Sequence, residues 1–175
     1  MNTSKLSCRK CYFTNNYVIA KNSYSYRGAI SIKYYLESNS SPNITIDECL
    51  FTNNTTKSHK TFGVAIFYED SHKKISTSLR SSLSFNNVTF KNNKAYSYTS
   101  SIGGVITIKT TFDYFNITFI SSFQKVTCMN NTAYSESSSS FGGVIWFSSF
   151  CSVLSIIPKF YFISDCYILP LIFNF

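Results

Sequence analysis

Phe13-Thr14-Asn15-Asn16 returns as Phe51-Thr52-Asn53-Asn54, as Phe90-Lys91-Asn92-Asn93 and as Cys128-Met129-Asn130-Asn131. The last Asn of each copy stands at 16, 54, 93 and 131, so successive copies step by 38, 39 and 38. Each copy is followed by a glycine cluster: Gly28-Ala29-Ile30, Gly63-Val64-Ala65-Ile66, Gly103-Gly104-Val105-Ile106 and Gly142-Gly143-Val144-Ile145. A period of this size marks a stack of like units, none of which buries its apolar face alone.

Aligned on the final Asn, the copies form chemical columns. Eight residues before it stand Cys8, Ile46, Phe85 and Phe123; five before it stand Cys11, Cys49, Val88 and Val126. Three before it stand Phe13, Phe51, Phe90 and Cys128. The last two columns are two residues apart, the strand period, and so share a face. The polar pairs between the first two columns, such as Arg9-Lys10 and Asp47-Glu48, mark a corner. A period of this length also suits helical hairpin repeats, but those need apolar stripes at the helical period and good helix formers. This chain is rich instead in Phe, Tyr, Ser and Asn, with β-branched residues in its apolar runs, which favours strands and turns. Hydrophobic residues make up 44%, enough for a core.

The expected architecture is an all-β parallel β-helix with about two coils per repeat, one carrying Phe-x-x-Asn and the next the glycine phrase. Phe, Ile, Val and Cys point inward. The final Asn side chains stack between coils, and the Asn before each tolerates a left-handed corner. The glycines permit a tight bend before Ile30, Ile66, Ile106 and Ile145. Copy two is the weakest and loses the first glycine of the pair. One domain is expected over 1–165, with four repeats and a partial fifth in which Ile157, Phe160, Phe162 and Asp165 follow the spacing of Cys8, Cys11, Phe13 and Asn16. Residues 166–175 read as a divergent apolar tail, too short to span a membrane.

Four alternating pairs of Phe-x-x-Asn and a Gly-Gly-Ala-(Ile/Leu/Val)-like phrase resemble the repeats of the polymorphic outer-membrane protein family of chlamydiae. The resemblance covers about Leu6 to Asp165. Phe13 and Asn16, Phe51 and Asn54, and Phe90 and Asn93 carry over; Cys128 departs from Phe, while Asn131 holds. The glycine phrase is Gly-Ala-Ile at Gly28, Gly-Gly-Val-Ile at Gly103 and Gly142, and degraded at Gly63. The resemblance implies a right-handed β-helix displayed at a cell surface as an adhesin or antigen. The membrane β-barrel of the bacterial family has no counterpart here.

Candidate chemistry is sparse. Cys8-x-x-Cys11 invites a metal or redox reading, but both cysteines fall in apolar columns and read as core. Cys11 and Cys49 share a column. Two coils per repeat would hold them about 9–10 Å apart, so no bridge is expected. No metal, cofactor or catalytic residue is assigned. Asp47-Glu48 and Glu69-Asp70 are the adjacent acids among eight, and strand neighbours face opposite sides. His59 and His72 read as loop decoration. Tyr24, Tyr26, Tyr34, Tyr35, Tyr68, Tyr96, Tyr98 and Tyr134 lie in or beside loops, where they could stack on a glycan or a host or matrix protein. The net charge of +8 is scattered, including Lys57, Lys60, Lys73 and Lys74, so no nucleic-acid surface is expected.

Met1 to Lys5 lead into the first copy without an apolar leader. Either an intracellular chain or a piece of a longer secreted parent follows; sequons at Asn2, Asn39, Asn43, Asn53, Asn54, Asn87, Asn116 and Asn130 suit the latter. The expected function is a non-catalytic repeat module of a surface or secreted adhesin-like protein. The alternative is a β-helical carbohydrate-active enzyme, which would gather three acids on one outer face.

Overall fold

The computed structural model describes residues 2–25, 28–36, 40–72, 79–102, 104–112, 117–136, 145–151, 159–163 and 171–174. These form strands and turns, without a helix among the described residues. The first repeat gives β1 (Asn2–Arg9), β2 (Tyr12–Thr14), β3 (Tyr17–Ser25) and β4 (Ile30–Leu36). The second gives β5 (Ser40–Asp47), β6 (Leu50–Thr52), β7 (Thr55–Phe62) and β8 (Ile66–His72). In the third, β9 (Leu79–Lys91) is continuous, followed by β10 (Lys94–Ile102) and β11 (Ile106–Phe112). The fourth gives β12 (Ile117–Met129), β13 (Thr132–Ser135) and β14 (Ile145–Cys151), after which come β15 (Lys159–Ile163) and β16 (Leu171–Asn174).

All pairings are parallel, and they fall into three sheets. The first runs β1-β5-β9-β12-β15, with β2 and β6 alongside; the second runs β3-β7-β10-β13; the third runs β4-β8-β11-β14-β16. Each full repeat therefore visits the first, second and third sheet once and returns to the first. Phe13 pairs with Phe51, Phe51 with Phe90, and Phe90 with Cys128. Ile30, Ile66, Ile106 and Ile145 form the matching column of the third sheet.

This register corrects the expectation of two coils per repeat. Consecutive copies are hydrogen-bonded neighbours, so one turn of the chain takes a whole repeat. The Phe-x-x-Asn and glycine phrases lie in different sheets of the same turn.

The corners explain why the strands break where they do. Lys10, Glu48, Asn87 and Lys125 share one column and all have φ between 50° and 55°. Asn15, Asn53, Asn92 and Asn130 share the next and have φ between 51° and 56°. The left-handed region favours Asn, whose short polar side chain can bond locally. The first corner holds Lys and Glu against that preference.

The core is the interior shared by the three sheets. Ile44, Leu83, Phe85, Phe119 and Phe123 come from the first sheet, and Ile66, Tyr68, Ile106 and Ile108 from the third. Rings stack along the columns: Phe13–Phe51 centroids are 4.7 Å apart, Phe51–Phe90 4.9 Å and Phe85–Phe123 5.0 Å. These separations follow the inter-strand spacing, so identical residues in register stack face to face. The second sheet lines the interior with small residues: Thr56, Ser58, Ala95 and Ser97 are buried. Its register shifts between Ala20 and Tyr24 and between Ser97 and Ser100. Ser97 and Thr99, beside the second shift, both donate to the His59 carbonyl, at 2.7 and 2.6 Å.

Three sequence readings shift in register. Phe162 stands opposite Phe123 and Phe160 opposite Ser121, so Phe162 occupies the Phe85/Phe123 column, not that of Phe13. Phe162 follows Phe123 by the same step that separates Asn93 from Asn54, so the period is kept. Asp165 and Ile157 lie outside the described residues. The tail does not break away: β16 adds to the third sheet, with Leu171 opposite Ile145. Because Ile66 pairs with Ile106 and Val64 N donates to Gly104 O, Val64 stands in the column of Gly104; copy two has lost the second glycine, not the first.

Candidate functional site

The sequence-predicted repeat residues assemble into one internal device and one outer face. The device is the Asn ladder. Asn16 Nδ2 donates to Asn54 Oδ1 at 2.8 Å, Asn54 Nδ2 to Asn93 Oδ1 at 2.8 Å, and Asn93 Nδ2 to Asn131 Oδ1 at 2.9 Å. The backbone N–H of each of the first three donates to the same oxygen as its amide. The second amide hydrogen goes to a carbonyl of the preceding turn: Asn54 to Phe13, Asn93 to Phe51 and Asn131 to Phe90. Asn54 and Asn93 are buried, so these bonds satisfy groups that water cannot reach. Asn54 is thus closed to glycosylation in the folded chain, whereas Asn43, Asn53, Asn87 and Asn130 are exposed.

Gly28 and Gly104 align at the bend into the third sheet, where Ala29 N donates to Val64 O and Val64 N to Gly104 O. A Cβ at Gly28 would run into the Val64 carbonyl, and Gly63 has φ +63° with the Ile66 carbonyl 2.6 Å from a would-be Cβ. Both positions therefore require glycine. Gly103, Gly142 and Gly143 lie outside the described residues.

The outer face belongs to the second sheet. Residues alternate along its strands. Val18, Thr56, Ala95 and Ala133 turn inward, while Ile19, Lys57, Tyr96 and Tyr134 form an outward column. Beside it runs a second outward column of Tyr17, Thr55, Lys94 and Thr132. Tyr96 and Tyr134 rings lie 5.3 Å apart, and Tyr98 meets Tyr96 edge-on at 5.9 Å. Lys57 Nζ caps this cluster, 4.5 Å from the Tyr96 centroid and 5.2 Å from that of Tyr98. Tyr96 Oη donates to Glu136 Oε1, and that bond pushes the Tyr96 phenol up to about 12. Next to the cluster, Asn53, Thr55, Asn92, Lys94 and Asn130 line a shallow groove of about 340 Å³. Asn92 Nδ2 donates to Asn53 Oδ1 at 3.2 Å along its floor.

Of the tyrosines read as exposed, Tyr96, Tyr98 and Tyr134 converge here. Tyr68 does not: it is fully buried in the third sheet, where burial and the adjacent Asp70 raise its phenol above the ordinary value. Tyr34 packs against the core. The side chains of Tyr24 and Tyr35, and the whole of Tyr26, lie outside the described residues. Tyr17 and Ile19, 60% and 52% exposed, extend the face and were missed, because neither recurs between copies. Lys57, His59 and Lys60 are strand residues of β7, not loop residues; His72 ends β8.

The acids read as adjacent pairs are held by cations or buried. Arg9 bridges Asp47 at 3.1 Å and Glu48 at 2.8 Å, and its hydrogen bond holds the Glu48 carboxyl below the ordinary range. Glu69 sits between Lys33 at 3.4 Å and Lys109 at 2.7 Å, an alternating ladder on the third sheet. Asp70 is buried. Among the described residues, one group of three Cys, His, Asp or Glu side chains comes close enough to share a ligand, and it is Cys8, Cys11 and Cys49. These cysteines meet because stacked copies are adjacent turns, which corrects the wide separation expected from two coils per repeat. Among the described residues, no helix is long and apolar enough to cross a membrane. Scans against family models, curated proteins and solved structures returned no match.

Proposed function

We propose that this chain is a non-catalytic binding module, a right-handed parallel β-helix that presents the outer face of its second sheet to a carbohydrate chain. The handedness rests on the crossover rule. Successive strands of one sheet are joined through the other two sheets, and such parallel crossovers are right-handed in about 98% of cases. The observation that carries the function is the Lys57–Tyr96–Tyr98–Tyr134 cluster beside the groove of Asn53, Asn92, Asn130, Thr55 and Lys94. Aromatic rings offer flat apolar faces to sugar rings, and amide and hydroxyl groups match sugar hydroxyls. The turns repeat at roughly 4.8 Å, which suits an extended polymer lying along the stack. Asp47 and Glu48 are both tied to Arg9, Glu69 to Lys33 and Lys109, and Asp70 is buried; carboxylates held by cations or out of reach support binding over glycoside hydrolysis, which needs two carboxyls flanking one bond. Display outside the cell within a longer chain is part of the proposal; it draws on the repeat resemblance and on exposed sequons at Asn43 and Asn87, which do not line the groove.

Affinity electrophoresis of the chain through gels containing neutral and acidic polysaccharides tests the reading. Retardation by at least one polymer is expected, lost in the Tyr96→Ala/Tyr134→Ala double variant and weakened in Lys57→Ala. Retardation unchanged in the double variant would reject this face. Absence of retardation by every polymer, with binding to a matrix protein instead, would reject the carbohydrate.

A further inference from the structure

Cys8, Cys11 and Cys49 have no part in the outer face, yet they are the tightest gathering of metal-ligating side chains among the described residues. Their sulfurs all lie within 4.8 Å of one another, and Cys8 Sγ is 3.8 Å from Cys49 Sγ. Two features of the fold create the cluster. The left-handed corner at Lys10 folds Cys8-x-x-Cys11 back on itself, with a Cα–Cα distance of 6.4 Å. Stacking of the second turn on the first then places Cys49 in register with Cys11, whose N–H donates to Cys49 Sγ at 3.4 Å. In the structure Cys8 and Cys11 are joined as a disulfide, while Cys49 is a buried free thiol.

We propose that, once the Cys8–Cys11 disulfide is reduced, the three sulfurs hold one monovalent copper ion. Reduction takes two electrons and two protons from two equivalents of an external thiol, or one dithiol, which leave as their own disulfide. Each cysteine that ligates the metal then gives up its thiol proton. The donor set selects the metal. Three thiolates are soft ligands, which favour soft d10 cations. A structural zinc site closes with four protein ligands. No fourth Cys, His, Asp or Glu joins the cluster among the described residues, and the neighbouring columns supply Ile46, Val88, Phe13 and Phe51. Three soft donors in a half-buried apolar setting suit trigonal copper(I). The metal and the disulfide compete for the same sulfurs, so the site reads the redox state of its surroundings.

The column chemistry provides variants that keep the packing. Cys49→Val copies Val88, and Cys8→Ile copies Ile46. Both are made in a background of Cys128→Phe, Cys151→Ser and Cys166→Ser, which leaves the three site cysteines alone. The reduced background chain is titrated anaerobically with a copper(I) salt against a colorimetric copper(I) chelator, and circular dichroism checks the fold. One equivalent per chain resisting the chelator is expected, with X-ray absorption showing three sulfur neighbours. Both single variants should release it while keeping the parent spectrum, and the oxidised chain should take none. Retention by folded Cys49→Val, a coordination shell with two or four sulfurs, or preferential tight binding of zinc would each overturn the assignment, as would failure of the reduced background chain to bind copper.

Discussion

Asn93 shows how much one repeated residue can carry. Its oxygen accepts from the Asn54 backbone and amide, and its own amide donates to Asn131 and Phe51. Asn93→Ala would leave at least two buried polar groups unpaired, each costing about 1–3 kcal/mol, so a loss of about 3–5 kcal/mol is expected in urea unfolding. Asn16→Ala, at the exposed end of the same ladder, should cost less than about 1 kcal/mol. Equal losses at the two positions would mean that the ladder is not what the repetition preserves. At Tyr96 the raised phenol makes a pH prediction. The folded state holds this proton more tightly than the unfolded chain, so the stabilisation is present below about pH 10 and lost as pH rises toward 12. A tyrosinate absorbance titration should show one phenol ionising late, moved down in Glu136→Gln and missing in Tyr96→Phe. The ladder was legible in the sequence because a buried amide in a stack has few substitutes, so the same letter recurs. The Lys57–Tyr96 contact was not, since it joins different residues of neighbouring copies and leaves no repeated letter.

The elements of the third sheet place charge where the repeat has none in common. Lys33, Glu69 and Lys109 occupy one column on β4, β8 and β11, and Glu69 is 7% exposed. Charge alternation along a column is the parallel-sheet form of a favourable cross-strand pair. Glu69→Gln should destabilise by about 1.5 kcal/mol in low salt, because it removes two charge-assisted bonds and leaves neighbouring lysines opposed. The reversed triple variant Lys33→Glu/Glu69→Lys/Lys109→Glu should recover most of the loss. If it does not, packing rather than charge governs the column. The strands of the first and third sheets were readable from their two-residue spacing and the first corner from its polar pair, but those of the second sheet were not, since His59, Tyr96, Tyr98 and Tyr134 read as loop residues. What spacing could not show was which phrase stacks on which. Two phrases per period look like two turns until the pairing of Phe13 with Phe51 and Ile30 with Ile66 shows each recurring once per turn. Because Cys11 and Cys49 share the first of these sheets, the same ambiguity hid the cysteine cluster.

For the whole molecule, one turn per repeat has a consequence that a shorter turn would not. Removing residues 94–131, one full step of the repeat, joins Asn93 to Thr132 and returns every later strand to a column of its own kind. In that variant β13 follows the corner of β9, and Phe162 of β15 comes opposite Phe85 in place of Phe123. The shortened chain should keep the parent circular dichroism shape and a cooperative transition, as nearest-neighbour stacking requires. Removing residues 94–112 deletes β10 and β11 alone, half a repeat. Six residues then link the end of β9 to the start of β12, and six residues span at most about 20 Å. Each of these parallel strands is 13 residues long, and the arm before its corner at Asn87 or Lys125 alone runs roughly 26 Å, which the link must retrace. Parallel pairing of β9 with β12 is therefore impossible without the route through the other two sheets. Two turns per repeat would tolerate the half deletion; one turn does not. Cooperative unfolding by the 94–131 deletion and its loss in the 94–112 deletion is the expected pair of results, and cooperative unfolding by the half deletion would refute the three-sheet turn.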